Sequence, residues 1–191
     1  MNINNFPKYI KEDTPNYNNN WSSMSLIRCY VSKILIEDKI IYADVDTIFN
    51  DGLRKLWNTP FDDNYVCAVA EKNNILIVNH SHTDSSYALP YFNSGVLLIN
   101  LKKIRDEGVD DLLIELLSQK KLKYPDQDAF NIICKNKVKY IDGRYNNSKF
   151  TVDSEYRSVI YHATPYKPWD KNYINHKLWL KYNAYTEPNK I

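Results

Sequence analysis

The sequence predicts an α/β fold with a mainly parallel sheet, on three observations. Short apolar runs bounded by polar residues recur at 39–43, 65–70, 96–99, 138–141 and 158–161, the length that suits buried strands. Stretches with helical spacing alternate with them, from Ser22 to Ile36, Leu101 to Glu107, Asp110 to Lys121 and from Pro125 onward. The first apolar run, Ile40-Ile41-Tyr42-Ala43, ends abruptly in Asp44-Val45-Asp46. Open α/β sheets place ligands beyond the carboxyl ends of their strands, so these two carboxylates stand where chemistry is expected.

A chain of 191 residues is long enough for one domain with a proper core. Its 43% hydrophobic and 25% charged residues are those of an ordinary globular protein, and a net charge of +2 gives no case for a nucleic-acid polymer as partner. Cys29, Cys67 and Cys134 are far apart and odd in number, which fits neither a disulfide framework nor a zinc knuckle. They read as small buried side chains in a reducing compartment. No apolar run approaches the roughly 18 residues of a membrane span, and the polar N-terminus is no signal peptide. The expected location is the cytoplasm.

Residues 1–20 are polar, with Asn-Tyr-Asn-Asn-Asn at 16–20, and read as a loose arm before a single domain over 21–191. Met24, Ile27, Val31 and Ile34 then recur at helical spacing, with Ser22 or Ser23 as cap. Arg28 lies on this helix, as a solvated charge or a site residue. The strand at 39–43 reads as buried on both faces. A short amphipathic stretch, Leu53 to Trp57, and a loop at 59–63 precede the strand from Tyr65 to Ala70. Residues 71–90 show little periodicity; His80 and His82 there read as surface loop in the absence of a third ligand. Tyr91-Phe92-Asn93-Ser94-Gly95 leads into the strand Val96–Ile99, and Gly95 suggests close backbone approach. Gly108 separates two helices, the second with Asp110-Asp111 in its first turn and Lys120-Lys121 in its last, in agreement with the macrodipole. Pro125-Asp126-Gln127-Asp128 opens a further helix, where Asp126 serves as N-cap or as a site residue. The tail, 165–191, alternates aromatic and basic residues such as Tyr166, Lys167, Trp169, Lys171 and Trp179. It either packs over the domain or rests on a membrane surface. Packing is favoured, because the pattern shows no clean amphipathic split.

In an extended Asp-x-Asp both side chains point to one side, because the strand period is two. Two carboxylates so close repel unless a cation lies between them, and oxygen ligands suit Mg or Mn. The alternative is an ordinary turn former or helix cap.

Four motifs in order carry a resemblance to family 8 glycosyltransferases. They are Arg28 with the strand and Asp44-Val45-Asp46; Phe92-Asn93-Ser94-Gly95-Val96-Leu97-Leu98-Ile99-Asn100-Leu101; Asp126-Gln127-Asp128; and His162 followed by Lys167-Pro168-Trp169. The resemblance runs from about Trp21 to about Tyr185 and is nearer to bacterial lipopolysaccharide α-galactosyl- and α-glucosyltransferases than to glycogenin.

The resemblance implies a nucleotide-diphospho-sugar transferase (GT-A type) fold, with helices on both faces of the sheet. It implies a divalent cation, Mn2+ or Mg2+, held by Asp44, Asp46 and His162 together with the diphosphate of a UDP-hexose. Lys167 would add positive charge to the same phosphates. Arg28 would contact the sugar or diphosphate, Val45 would sit in the donor site, and Asn93, Ser94 and Gly95 would face the donor sugar. Asp126, Gln127 and Asp128 would surround the sugar and acceptor as candidate catalytic residues. The implied reaction moves a hexose, with retention, to a hydroxyl of a lipopolysaccharide or other surface glycan, at the inner face of the membrane. A double displacement needs a nucleophile; an amide such as Gln127 is a weak one and Asp128 a stronger one. Front-face attack assisted by the leaving phosphate needs none and is the favoured route.

Two departures from the family pattern stand out. Pro165 stands near the place of a family glycine between His162 and Lys167, and it lacks the N–H that could contact a phosphate. The family's strand–helix–strand portion with the uridine pocket lies upstream of Arg28, and residues 1–20 do not resemble it. The expectation is an N-terminally short transferase domain, with a catalytically weak remnant acting as a binding module as the alternative. A bare, apolar sheet edge would favour the latter.

Overall fold

The computed structural model describes residues 9–17, 23–72, 87–149, 151 and 157–183. His80 and His82 lie outside the described residues. Within them the order is β1 (Ile40–Ala43), β2 (Thr47–Phe49), α1 (Arg54–Trp57), β3 (Val66–Ala70), β4 (Phe92–Ile99), α2 (Leu101–Asp106), α3 (Val109–Gln119), α4 (Pro125–Ile133), β5 (Val138–Tyr140), β6 (Ile160–His162) and α5 (His176–Asn183).

The main sheet has the strand order β1-β4-β3-β5, and β2 pairs with β6 in a separate ribbon. Strands β1, β3 and β5 share one direction, while β4 runs against both neighbours. The sheet is therefore mixed, with strand directions mainly parallel but β4 paired antiparallel on either side. β4 takes the interior place because all eight of its residues are buried. It begins at Phe92, so Asn93, Ser94 and Gly95 belong to the strand rather than to a loop before it. Next to it, β1 is an edge strand among the described residues, and its Ile40, Ile41, Tyr42 and Ala43 are half-buried. The expectation of burial on both faces fails there for want of a second neighbour.

Period-two alternation divides the core. Val66, Ala68, Leu97 and Ile99 face α2, α3 and α4 through Leu101, Ile104, Leu113, Leu117, Ala129 and Phe130. Cys67, Val96 and Leu98 face the other way, onto Leu56 of α1 and Ile160 of β6. Truncating a fully buried side chain such as Leu97 to alanine costs about 2–5 kcal/mol.

The expected helix from Ser22 to Ile36 is two 3-10 segments, Ser23–Cys29 and Val31–Lys33. The reason lies in the spacing: Leu26, Cys29 and Ser32, three apart, are the most buried positions, while Met24 is exposed. Three residues per turn bring such a set onto one line. Gly108 separates α2 from α3 with φ at 65°, a left-handed conformation that glycine adopts without a Cβ penalty. The polar arm is not loose over 9–17. Ile10 is buried, and Asn16 donates to the carbonyls of Leu117 and Lys120 and accepts from the N–H of Leu122, which caps the end of α3. The tail packs as favoured: Tyr173, Leu178, Trp179 and Tyr182 cover Ile48, Tyr161 and Ala163 of the β2–β6 ribbon. Cys29, Cys67 and Cys134 are free and buried.

Candidate functional site

Asp44 and Asp46 converge through a turn, not through strand alternation. The Thr47 N–H and hydroxyl both donate to the Asp44 carbonyl, folding Asp44-Val45-Asp46 between β1 and β2. Asp44 is tied to β4 by its N–H on the Gly95 carbonyl (2.8 Å). Val45 projects from the turn and is 88% exposed. The β2–β6 register sets His162 opposite Thr47, and the Ala163 N–H donates to the Asp46 carbonyl. His162 thereby reaches the two carboxylates: Nε2 lies 3.4 Å from Asp46 Oδ1 and 3.8 Å from Asp44 Oδ2. One ligand atom from each of the three lies within 4.8 Å of the others.

The imidazole is oriented from behind. Asn146 donates from Nδ2 to Asn93 Oδ1 (2.8 Å), which turns its own Oδ1 to His162 Nδ1 at 2.9 Å. The Nδ1–H then donates to Asn146, and the Nε2 lone pair faces the carboxylate oxygens. Three electron-rich atoms so directed need positive charge between them, and a donor set of two carboxylates and an imidazole fits a divalent cation. An N–H bound to a fixed acceptor is also the usual support of a ligating histidine. Lys167 Nζ already lies 2.6 Å from Asp46 Oδ2. Burial pushes the Asp46 carboxyl up, but hydrogen bonding and positive charge from His162, when its Nε2 carries a proton, and then from Lys167 outweigh it and hold it well below the usual carboxylate range.

Arg28 is buried, not a surface charge. Its guanidinium bridges Asp44 and Asp126, donating through Nη2 to Asp44 Oδ1 and lying 3.2 Å from Asp126 Oδ2 through Nη1. Nη1 also donates to the Ser94 carbonyl (2.7 Å) and hydroxyl (3.1 Å), and the Ser94 hydroxyl donates to Asp126. Burial alone would lower the Arg28 pKa; Asp126 and Asp44 reverse this and raise it. Tyr42, two residues before Asp44 on the same strand face, donates to Asp44 Oδ1 (2.9 Å), with the guanidinium 4.4 Å above its ring.

Gln127 is nearly enclosed. Its Oε1 accepts from Asn93 Nδ2 (3.0 Å) and the Ser94 N–H (3.1 Å), and its Nε2 donates to Tyr91 Oη (3.2 Å) and Glu71 Oε1 (3.3 Å). Asp128 is fully buried and accepts from Tyr91 Oη and from the Tyr124 N–H. The N-cap of α4 is Tyr124, with Pro125 in the first turn, so Asp126 is not the cap. The structure thus brings Arg28, Asp44, Asp46, Ser94, Asp126, His162 and Lys167 into contact. Asn93 and Gln127 join them through Asn146 and Ser94, and Asp128 sits apart behind Gln127. Tyr42 and Asn146 were not foreseen from the sequence. The period-two rule could have found Tyr42, whereas nothing local marks Asn146.

Glycosyl transferase family 8 matches residues 1–173, which takes in the whole of the segment read as a polar arm. A glycosyltransferase-class protein of Haemophilus influenzae is 37% identical over 149 residues, covering 74% of this chain and 42% of its own length. A lipopolysaccharide 1,2-glucosyltransferase of Escherichia coli is 33% identical over 129 residues, covering 62% of this chain and 36% of its own. The chain therefore spans less than half the length of these two relatives. Among solved structures, the galactosyltransferase LgtC in complex with donor and acceptor sugar analogues matches with a TM-score of 0.72 and 25% identity, over 93% of this chain and 72% of that one. The fold is of the GT-A glycosyltransferase type, and the chain belongs to glycosyl transferase family 8.

Proposed function

We propose that the chain transfers a hexose from a UDP-sugar to a hydroxyl of a lipopolysaccharide-like glycan, with retention at the anomeric carbon. The observation that carries this reading is the convergence of Asp44, Asp46 and His162 beside Lys167, with Asn146 holding the imidazole. Asp44, Asp46 and His162 are the residues that would hold Mn2+ or Mg2+. Such an ion supplies Lewis acidity to a leaving diphosphate. Lys167 has one flexible cation to move from Asp46 onto a phosphate oxygen. Arg28 holds the Asp44 and Asp126 carboxylates fixed in direction. Asn93, Ser94, Gly95 and Gln127 form the rigid wall against which the sugar lies, and Val45 offers an exposed apolar contact.

In the reaction the bond from the sugar C1 to the diphosphate oxygen breaks and a bond from C1 to the acceptor oxygen forms; the acceptor proton passes to the departing phosphate. Full burial of Asp128 and the four internal hydrogen bonds of Gln127 favour this front-face route over a covalent intermediate on either residue. The test is transfer from UDP-glucose and UDP-galactose to a lipopolysaccharide core acceptor, with and without Mn2+ and a chelator. Metal-dependent product in the wild type, lost in Asp44→Asn, supports the reading, and its absence with every donor refutes it.

A second reading, a binding module with little or no turnover, is favoured by one observation: β1 is a half-buried apolar edge strand among the described residues. It predicts sugar or nucleotide binding without transfer in the same assay.

The proposed location is the cytoplasm at the inner face of the membrane. No described helix is long and apolar enough to cross a membrane. The exposed Trp169, Ile174 and Leu180 lie among the exposed Lys171, Lys177 and Lys181, a combination suited to an anionic lipid surface. Pelleting with anionic vesicles that is unchanged by deletion of residues 173–191 would remove this part.

A further inference from the structure

Lys167 Nζ meets Asp46 at 2.6 Å, yet its side chain is 53% exposed, so the ammonium is aimed mainly by its own main chain. The β2–β6 ribbon does not supply that hold. The Ala163 N–H still bonds back, to the Asp46 carbonyl, but among the described residues no main-chain group of 164–166 is hydrogen-bonded. Pro165 and Tyr166 are exposed. Beyond Lys167 the chain winds back instead. The N–H groups of Asp170, Tyr173 and His176 donate to the carbonyls of Lys167, Asp170 and Tyr173, in three successive turns. These bring the imidazole of His176, the first residue of α5, onto the Pro168 carbonyl, with Nδ1 2.9 Å from the oxygen. A carbonyl only accepts, so Nδ1 carries the hydrogen. Pro168 is buried and has no N–H of its own, and a buried carbonyl needs a donor. The imidazole is itself fixed. It lies nearly parallel to the Trp179 ring (centroids 5.7 Å apart, interplanar angle 24°), and Trp179 meets Trp169 edge-on at 6.5 Å. Leu178, Trp179 and Tyr182 pack on Ile48 and Ala163, so α5 is fastened to the ribbon that carries His162.

We propose that His176 is a positioning residue for the donor site: through its hydrogen bond to the Pro168 carbonyl it fixes the main chain at Lys167 and keeps the ammonium beside Asp46, where a diphosphate would lie. The part played by the diphosphate rests on the transferase reading above; the hold of His176 on Lys167 does not.

Two substitutions separate the hydrogen bond from the ring. His176→Phe keeps a ring against Trp179 and removes the donor; His176→Asn keeps a donor near the place of Nδ1 and removes the ring. The first measurement, acetylation of the full chain with acetic anhydride followed by peptide mass spectrometry, needs no ligand. Lys167 reacts when its nitrogen leaves Asp46, and the exposed Lys171 and Lys177 serve as references. His176→Phe should raise the rate at Lys167 roughly fivefold against both references, the effect of losing one hydrogen bond, and His176→Asn should leave it near that of wild type. The second measurement is Mn2+-dependent UDP affinity by calorimetry. His176→Phe should weaken it about fivefold in the wild type and have no further effect in a Lys167→Met background, the non-additivity of two residues that act as one. An unchanged rate at Lys167 in His176→Phe, an equal rise at all three lysines, or the same effect from both substitutions overturns the proposal. So does an equal loss of UDP affinity in both backgrounds. Release of Lys167 in His176→Phe alone, with no UDP binding by the wild type, keeps the positioning role and sinks the diphosphate site.

Discussion

The His162 imidazole occupies the space that a side chain at position 95 would need: a Cβ on Gly95 would lie 2.1 Å from Cε1, 2.6 Å from Nδ1 and 2.9 Å from Nε2. The ring therefore lies against the β4 backbone at the point where Asp44 is bound to it. Gly95→Ala must push the imidazole off Asn146 and away from the carboxylates. The expected result is a folded protein destabilised by about 1–3 kcal/mol, as for other overpacked sites. Its Mn2+ affinity should fall at least tenfold, as read by competition with a metal indicator. Wild-type metal affinity in Gly95→Ala would show that the imidazole is not a ligand.

Asn146 acts on the same ring through Nδ1. Loss of such a support costs about 10- to 100-fold in metal affinity at known centres. Asn146→Ala is expected to weaken Mn2+ binding within that range and to broaden the His162 ring signals in NMR, because the ring gains freedom to flip. Sharp, unshifted ring signals would contradict the role given to Asn146.

Arg28 is buried between Asp44 and Asp126, with its side chain 3% exposed. Removing the cation leaves two carboxylates facing each other without a counter-charge. Arg28→Met is expected to cost about 3–5 kcal/mol in urea unfolding, the range for a broken buried pair. Arg28→Lys should recover only part of this, since a single ammonium cannot reproduce the fork that reaches both carboxylates and Ser94. A loss below about 1 kcal/mol, typical of surface pairs, would place Arg28 in solvent.

The three thiols give a test of the core. Burial pushes Cys29, Cys67 and Cys134 up, Cys67 to about 11. The native protein is expected to resist a disulfide reagent at pH 8 and to release all three thiols on unfolding. The sign of the pH effect follows: the unfolded chain loses the Cys67 proton first, near the ordinary thiol value, while the folded chain holds it to about pH 11. The stability conferred is fully present below the unfolded value and is lost as pH rises through the folded one. A smaller decline between pH 8 and pH 10.5 in Cys67→Ala than in wild type, the remainder coming from Cys29 and Cys134, would isolate this group.

Much of the site was legible because its residues sit in short contiguous motifs at strand ends. Asp44 and Asp46 follow an apolar run, and Asp126-Gln127 open a helix after a proline. The geometry that joins them was not. The turn that brings Asp44 to Asp46 depends on Thr47, and the support of His162 depends on Asn146, 16 residues away, whose orientation is set by Asn93, 53 residues further back. Such couplings arise only when β4 and β6 meet the turn after β1. The burial of Arg28 was likewise invisible. Its neighbours in sequence suggested an α-helical face, whereas a 3-10 segment turns it inward onto Asp44 and Asp126. The fold class followed from alternating strands and helices, but the reversed direction of β4 leaves no mark in its composition, since a buried strand is apolar in either direction.

The central claim is that Asp44, Asp46 and His162 form a metal–diphosphate site. Its most direct test is calorimetric titration of UDP into the wild type and into Asp46→Asn, each with and without Mn2+. The account predicts UDP binding by the wild type that requires Mn2+ and disappears in Asp46→Asn, while the variant keeps a wild-type circular dichroism spectrum. Equal UDP binding with and without the metal, or no binding by the folded wild type, would contradict it.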